Sequence, residues 1–350
     1  MLTVRQIKMP RNVVLFLGAG FSAPLGLPVM NSFLAFADSS KRLESRHRDF
    51  LGRLLLQSRR ANSFLESSPT NLEDMLSFAE MADRLGLADP LPDGESQSDC
   101  LRHIIRRVYT TVPDVDDFWN QLPTFDSLLG SSIRDFQGQL QIVTTNYDIN
   151  AECILQRAGR GIDLGFAFER PLLENRAAAG FCGGQGTKLF KLHGSVNWWL
   201  DGESGSVVVE DRIIRVHGQE RFDAQLPRIC SDFVPPSPPL IIPPSFLKPD
   251  LAPIIKGVWK GAATALASAH DIVFVGYSFP ESDREMMYFL ATAFTNNALL
   301  RSIHIVDPNA DRIVTRLRSE QSKAGSHFKA LLHAHTGSWT DTNLEWAWAA

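Results

Sequence analysis

Cysteine is scarce in this chain, and so are long apolar runs and any excess of one charge. Only four cysteines occur in 350 residues: Cys100, Cys153, Cys182 and Cys230. No two stand in a CxxC spacing. That excludes a zinc ribbon built on paired short-range ligands and argues against a disulfide scaffold. No metal is expected. Arg5, Lys8 and Arg11 precede an apolar run, but it covers only Val13 to Leu17 and ends at Gly18. It is too short for a signal sequence or a membrane span. With no secretory leader and no apolar stretch of membrane length elsewhere, a reduced cytoplasmic location is the expectation. Lys and Arg total 35 against 39 Asp and Glu, a net charge of −4. A chain so close to neutral does not advertise a nucleic-acid or acidic-membrane surface.

What is present is globular. Hydrophobic residues make up 44% and charged residues 21%, so a packed core is expected and wholesale disorder is not. The length suffices for one large domain or two ordinary ones without metal or disulfide staples. Val13-Val14-Leu15-Phe16-Leu17 reads as a buried parallel strand, continuous in apolar residues and closed by glycine. Residues 31–136 carry helical periodicity instead. Leu43, Phe50, Leu51, Leu54 and Leu55 set one helix, Asn71-Leu72-Glu73-Asp74 opens another, and Leu101 to Val108 forms a third. Residues 89–99 read as a loop. Short strands then return at Gln141–Thr145, Lys188–Leu192, Ile272–Val275 and Ser302–Val306, with a last one over Phe328–His333. Val207–Val209 and Arg212–Val216 read as a hairpin, and the proline-dense stretch 234–253 as an extended connector. Helices are expected over Trp259–Ala269 and Met286–Phe294. Short apolar strands alternating with helices predict an α/β protein, a Rossmann-like parallel sheet flanked by helices.

Five polar or glycine-rich turns follow five of these strands. The first, Gly18-Ala19-Gly20-Phe21-Ser22-Ala23, fits G-x-G-x-x-[G/A], whose small residues let the backbone approach a pyrophosphate. An ordinary dehydrogenase would follow it with a second strand ending in an acid. Asp38 has the right separation, but Asn31 to Glu44 does not read as a strand. The second turn is Thr144-Thr145-Asn146-Tyr147-Asp148, the third Lys191-Leu192-His193-Gly194-Ser195, the fourth Gly276-Tyr277-Ser278-Phe279 with Asp283 beyond it, and the fifth Asp307. Each alone is compatible with capping or turn chemistry. Parallel strands would bring all five to one carboxyl edge, where open α/β sheets bind ligands. His333 and His335 share one strand face, with no third ligand in view for a metal.

The order of these motifs resembles the Sir2 (sirtuin-like) superfamily. The GAGxS…GxP pattern is matched by Gly18-Ala19-Gly20-Phe21-Ser22 and Gly26-Leu27-Pro28, TQNxD by Thr144 to Asp148, the His-Gly by His193-Gly194, and the later GTS turn by Gly276-Tyr277-Ser278. Deacylases of the superfamily carry Asp-Phe-Arg after GxP, where this chain has Val29-Met30-Asn31, and a four-cysteine zinc ribbon that it cannot build. Thr145 also replaces the glutamine. The chain looks more like the bacterial antiphage-defence NAD hydrolases, which share TTNYD, KLHGS, an IPP segment (here Ile242-Pro243-Pro244) and GYSxxxxD, here Gly276 to Asp283.

The resemblance implies hydrolysis of NAD+ to nicotinamide and ADP-ribose. It places catalysis on Asn146, beside the nicotinamide ribose, on His193, as base or positioner, and on Asp148, at the nicotinamide side or holding the loop. NAD+ would be bound by Gly18, Ala19, Gly20, Ser22, Pro28 and Thr145, with Gly276, Ser278, Asp283 and Asp307 on the adenosine half. NAD-dependent deacylation, ADP-ribosyl transfer and NAD or ADP-ribose sensing without turnover remain alternatives. The whole chain is expected to form one catalytic domain, with 1–30 and 137–350 as core and 31–136 as a helical insert. Control of a toxic hydrolase is then expected from homo-oligomerisation or from a separate activating protein, such as an ATPase or nucleic-acid sensor. The helical insert is the expected assembly surface; within it Lys41, Arg42, Arg46, Arg48, Arg53, Arg59 and Arg60, against Glu44 and Asp49, read first as a solvated helix face, with a partner or nucleic-acid contact as the alternative.

Overall fold

The computed structural model describes residues 11–39, 43–64, 71–89, 91, 94–109, 124–129, 140–168, 186–210, 213–215, 227–229, 237–242, 253–280, 283–319 and 326–344. Cys182, Cys230, Pro243, Pro244, Lys41, Arg42 and the ends of the Arg212–Val216 stretch lie outside the described residues. Strand β1 (Val13–Leu17) is followed by a four-residue helix α1 (Ala19–Ser22). Then come α2 (Phe33–Ser39), α3 (Ser45–Phe64), α4 (Leu72–Arg84), α5 (Gln97–Tyr109) and α6 (Phe125–Leu129). No strand occurs among the described residues of this stretch. Strand β2 (Leu140–Thr144), α7 (Asn150–Arg157), β3 (Ile162–Asp163) and β4 (Thr187–Lys191) complete the first half. The second half runs through short strands β5 (Trp198–Leu200), β6 (Val207–Val209), β7 (Ile213–Arg215) and β8 (Pro227–Ile229). It continues with α8 (Pro253–Ala267), β9 (Asp271–Val275), α9 (Arg284–Thr295), β10 (Ser302–Asp307), α10 (Ala310–Arg318), α11 (Ser326–Ala330) and β11 (Leu332–Thr336).

Seven strands form one sheet in the order β11-β10-β9-β1-β2-β4-β3, every pair parallel. A parallel strand pleats side chains to both faces, so a central one must be apolar throughout. In β1, Val13, Leu15 and Leu17 enter the core on one face, and Val14 and Phe16 enter the core on the other. The first core is closed by α2 to α7, the second by α8, α9 and α10. The result is a three-layer, doubly wound α/β fold. Helix starts follow local chemistry: Asn71 Oδ1 accepts from Asp74 N (2.9 Å) while Asp74 Oδ2 accepts from Asn71 N (3.3 Å), a capping box that opens α4.

Two expected elements differ. Val207–Val209 does not pair with the 212–216 stretch. It pairs antiparallel with Trp198–Leu200, while β7 pairs with β8. The turn between β5 and β6 is closed by Asp201, whose carboxylate accepts from Glu203 N and Ser204 Oγ, an Asx turn. The last strand is Leu332–Thr336 rather than Phe328–His333, because Ser326–Ala330 is helical.

The chain winds from β1 outward to β2 and β4, then returns to β9 beside β1 and winds outward the other way. The reversal falls at the carboxyl ends of β1 and β9, the place where open α/β sheets form their ligand crevice. There two glycine turns meet backbone to backbone. Gly18 N donates to Val275 O (3.0 Å) and Gly20 N to Gly276 O (2.9 Å). A Cβ on Gly276 would lie 2.2 Å from Phe21 N, and one on Gly18 would lie 2.6 Å from Gly276 O. Gly276 also has φ +62°, which an L side chain rarely adopts. Phe16, Phe274, Tyr277 and Phe279 pack beneath this contact with ring centroids 4.7–6.2 Å apart.

At the other end of β10, His304 is buried with Nδ1 2.9 Å from His335 Nε2 and Nε2 2.9 Å from Ser302 Oγ. His333 stacks on its ring at 5.0 Å. Ser302 Oγ donates to Asp271 Oδ1 (2.7 Å), which Arg11 approaches from outside. Burial, then His335 and His333, push His304 down to about 3. Among the described residues no group of three or more His, Cys, Asp or Glu is placed to hold a metal.

Two outcomes follow. Gly276→Ala should destabilise by roughly 3–5 kcal/mol through clash and positive φ, whereas Gly52→Ala, in an open site within α3, should stabilise by about 0.5–1 kcal/mol. Urea denaturation measures both, and equal stability of the two variants would contradict the packing described. Because His304 binds its proton less readily folded than unfolded, its contribution is complete above the unfolded pKa near 6.5 and is lost as pH falls toward 3. Stability at pH 5 should therefore be lower than at pH 7.5 by about 2 kcal/mol from this residue. In His304→Asn that part of the pH dependence should vanish, and an unchanged dependence would overturn the assignment.

Candidate functional site

All five expected turns lie at the carboxyl edge of one sheet, on the adjacent strands β10, β9, β1, β2 and β4. Leu17 O at the end of β1 accepts from Thr145 N (3.2 Å) and Thr144 Oγ1 (3.0 Å). This carries Asn146 across to the first glycine turn. Its amide Nδ2 donates to Gly18 O (2.9 Å) and Ser22 Oγ (3.3 Å), and its backbone N donates to Thr144 Oγ1. Ser22 Oγ in turn donates to Asp148 Oδ2 (2.7 Å), and Asn150 N donates to Asp148 Oδ1 (2.9 Å). Gly18, Ser22, Asn146 and Asp148 therefore form one hydrogen-bonded unit. Ala19, Gly20, Thr145, Asn146 and Gly276 are partly open to solvent, whereas Ser22, Asp148 and His193 are buried.

Asp148 sits above a buried ion pair. Lys191 Nζ donates to Asp148 O and to Glu152 Oε1 (2.8 Å), with both pair members fully buried. Burial raises the carboxyls of Asp148 and Glu152, and the Lys191 charge opposes both shifts. A lysine stranded between apolar residues in Lys188–Leu192 was the sequence signal for this pair, and it was not among the expected site residues. Breaking such a pair by removing one partner leaves a buried charge uncompensated.

His193 follows β4, its ring 6.3 Å from both Tyr147 and Trp259. Trp259 Nε1 donates to Leu192 O (2.8 Å), so α8 fixes the backbone just before the histidine. Gly194 has φ +75° and pairs with Ile241, and Leu240 O would lie 1.9 Å from a Cβ there. The glycine after His193 is thus required for the connector to lie against it. Ile242 N donates to His193 O (2.9 Å).

The remaining residues have structural partners. Pro28 O accepts from Tyr109 Oη (3.3 Å). Asp283 Oδ1 accepts from Met286 N as the cap of α9, and Oδ2 accepts from Tyr277 Oη. Burial and Asp283 together raise the Tyr277 hydroxyl. Ser278 is exposed. Phe279 has φ +51°, an uncommon conformation for an aromatic. Arg316 of α10 holds it by donating to Ser278 O (2.6 Å) and Phe279 O (2.8 Å). Gly276 N donates to Val306 O (2.9 Å), which ties this turn to Asp307 on the next strand. Asp307 is buried and its Oδ1 accepts from Asn309 N (2.7 Å), an Asx turn that sets the entry to α10. That helix begins at Ala310 after Asn309, so Asp307 is not its N-cap.

Solved structures to which this chain is similar include a Sir2 bound to acetylated peptide, at 14% identity over 95% of this chain and 90% of that one, TM-score 0.35. Another is a Sir2 homolog–NAD complex, at 11% identity over 94% and 85%, TM-score 0.43. No curated protein matches the sequence. Residues 140–331, more than half of the chain and the span that carries four of the five turns, match the SIR2-like domain family, and the chain belongs to that family.

Proposed function

We propose that this protein is an NAD+ glycohydrolase that cleaves the nicotinamide–ribose bond. The observation that carries the reading is the bonding of Asn146 to Gly18 O and Ser22 Oγ at the β1/β9 crevice. It joins the polar motif of one strand to the glycine turn of the next. The residues there fit a dinucleotide. The crevice floor is glycine backbone without Cβ atoms, suited to close approach of a pyrophosphate. Gly18, Ala19, Gly20 and Ser22 would face the pyrophosphate, with Thr145 and Pro28 beside it. Gly276, Ser278, Asp283 and Asp307 would line the adenosine half.

In NAD+ the leaving nicotinamide is already cationic. The C–N bond breaks with its electron pair going to the pyridine nitrogen, so no strong general acid is needed. Water adds to the anomeric carbon and gives up one proton, completing ADP-ribose and nicotinamide. The protein must orient the ribose, support oxocarbenium-like charge and place the water. Asn146 would orient the ribose or the water. His193 would accept the proton or position its carrier. Asp148, with one carboxylate oxygen bonded to Asn150 N in its own loop and the other to Ser22 Oγ, would hold Asn146 in place.

Cys100 and Cys153 are buried in α5 and α7. The four cysteines also lack the paired short spacing of a zinc ribbon, which favours hydrolysis over lysine deacylation in this reading. In the same reading the protein is an effector of bacterial antiphage defence that depletes cytoplasmic NAD. Residues 1–30 and 137–350 form the catalytic core and 31–136 a helical insert. The exposed Arg48, Arg53, Arg59 and Arg60 of α3 offer an assembly or partner surface. Among the described residues no helix is long and apolar enough to cross a membrane.

Chromatography of NAD+ incubated with the protein should show nicotinamide and ADP-ribose. Asn146→Ala and His193→Ala should each lower turnover by about 100-fold or more. Full activity in both variants would sink the residue assignment, and calorimetry showing no NAD+ binding would sink the reading itself. Light scattering should report an assembly, alone or with an activating partner; a strict monomer under both conditions would contradict the proposed control.

A further inference from the structure

We infer that α5 is the element that sets the geometry of the catalytic edge, with Arg102, Arg106 and Tyr109 as positioning residues. The inference rests on the site proposed above and adds to it a route of control from the helical segment. The three residues are spaced i, i+4 and i+7, one face of one helix. Each reaches a different part of the site. Arg102 Nε donates to Ile241 O (3.3 Å), next to Ile242, whose N donates to His193 O. Arg106 Nη1 donates to Val196 O (2.7 Å), and Val196 N donates to Tyr147 O (3.0 Å). One guanidinium therefore holds Val196, in the segment after His193, whose own backbone N bonds the loop that carries Asn146 and Asp148. Tyr109 Oη donates to Pro28 O, and its ring stands edge-on to Tyr147 at 6.4 Å.

The face is built to stay rigid. Arg106 Nη2 pairs with Glu210 Oε2 (3.1 Å), whose side chain is fully buried. Asn197 and Glu210 exchange backbone and amide bonds of 2.9 and 3.0 Å. Arg102 is paired with Glu80 of α4 and with Asp99 (2.8 Å). The start of α5 is fixed by Asp83, also of α4, which accepts from Gln97 N (3.1 Å) and Ser98 N (2.8 Å). None of the three positioning residues belongs to the strands of the sheet. A shift of α4 and α5, imposed by assembly or a partner, would move all three parts of the site together. Charge-assisted, partly buried bonds of this kind hold a geometry far better than exposed ones.

Hydrogen exchange read by mass spectrometry tests this on the full chain without requiring turnover. In Arg106→Met, amides of 145–150 and 193–198 should exchange about 10- to 100-fold faster, as expected for loss of a charge-assisted bond. Amides of β9 and β10 should keep their protection. NAD+ turnover should fall with KM nearly unchanged, and Arg106→Lys should restore part of it. Tyr109→Phe, which removes one hydroxyl and keeps the ring, should speed exchange around 26–30 alone. Unchanged exchange at 145–150 and 193–198 in Arg106→Met would overturn the inference, as would uniform loss of protection including β9 and β10. If the wild-type chain bound no NAD+, the catalytic reading would fail while the exchange pattern still decided the role of α5.

Discussion

Backbone meets backbone where β1 and β9 end, and the rest of the site is arranged around that contact. Gly18 and Gly20 lie so near Gly276 that no Cβ fits between them. The cost is conformational, since three glycines must be ordered and one held at positive φ. What it gains is a shallow floor of peptide groups at the point where the strand order reverses. Around that floor the chain has little freedom. The aromatic cluster of Phe16, Phe274, Tyr277 and Phe279 fills the space below, and Arg316 fixes the turn from outside.

Polar order at the edge depends on charges buried beneath it. Lys191 and Glu152 support the Asn146–Asp148 loop from inside the sheet layer. Arg106 and Glu210 support the His193 segment from the helical layer. Buried ion pairs contribute little to net stability, but they fail expensively when one partner is lost. Here each pair also donates to a backbone carbonyl of a site loop. Such carbonyls have no ladder partner, so without those donors the loops would have to find water. The edge that carries the five turns is thus held by two sets of charges, one on each side of the motif strands.

Much of the fold was legible because buried parallel strands are simple signals. Val13–Leu17 and Ile272–Val275 are continuous apolar runs ending in glycine, and both are central strands. Asn71 announced its helix by its capping chemistry. Pairing was less legible. Val207–Val209 carries no mark of its partner, and Trp198–Leu200 took the place given to the 212–216 stretch. Around Phe328–His333 a short apolar run was compatible with helix or strand, and it divides into both. The five turns were legible as turns, and their shared edge followed once the strands were parallel. What the sequence hid was the support: Arg102, Arg106 and Tyr109 look like an ordinary amphipathic helix until tertiary contact shows which carbonyls they reach.

The central claim is that NAD+ chemistry occurs at the β1/β9 crevice, beside Asn146. A crystal structure of the protein with ADP-ribose tests it most directly, because it reads the location whether or not the isolated chain is active. The account predicts the pyrophosphate against the Gly18–Ser22 turn, one ribose beside Asn146 on the His193 side, and the adenosine toward Gly276 and Asp307. ADP-ribose bound elsewhere, or this crevice left empty at saturating ligand, would contradict it.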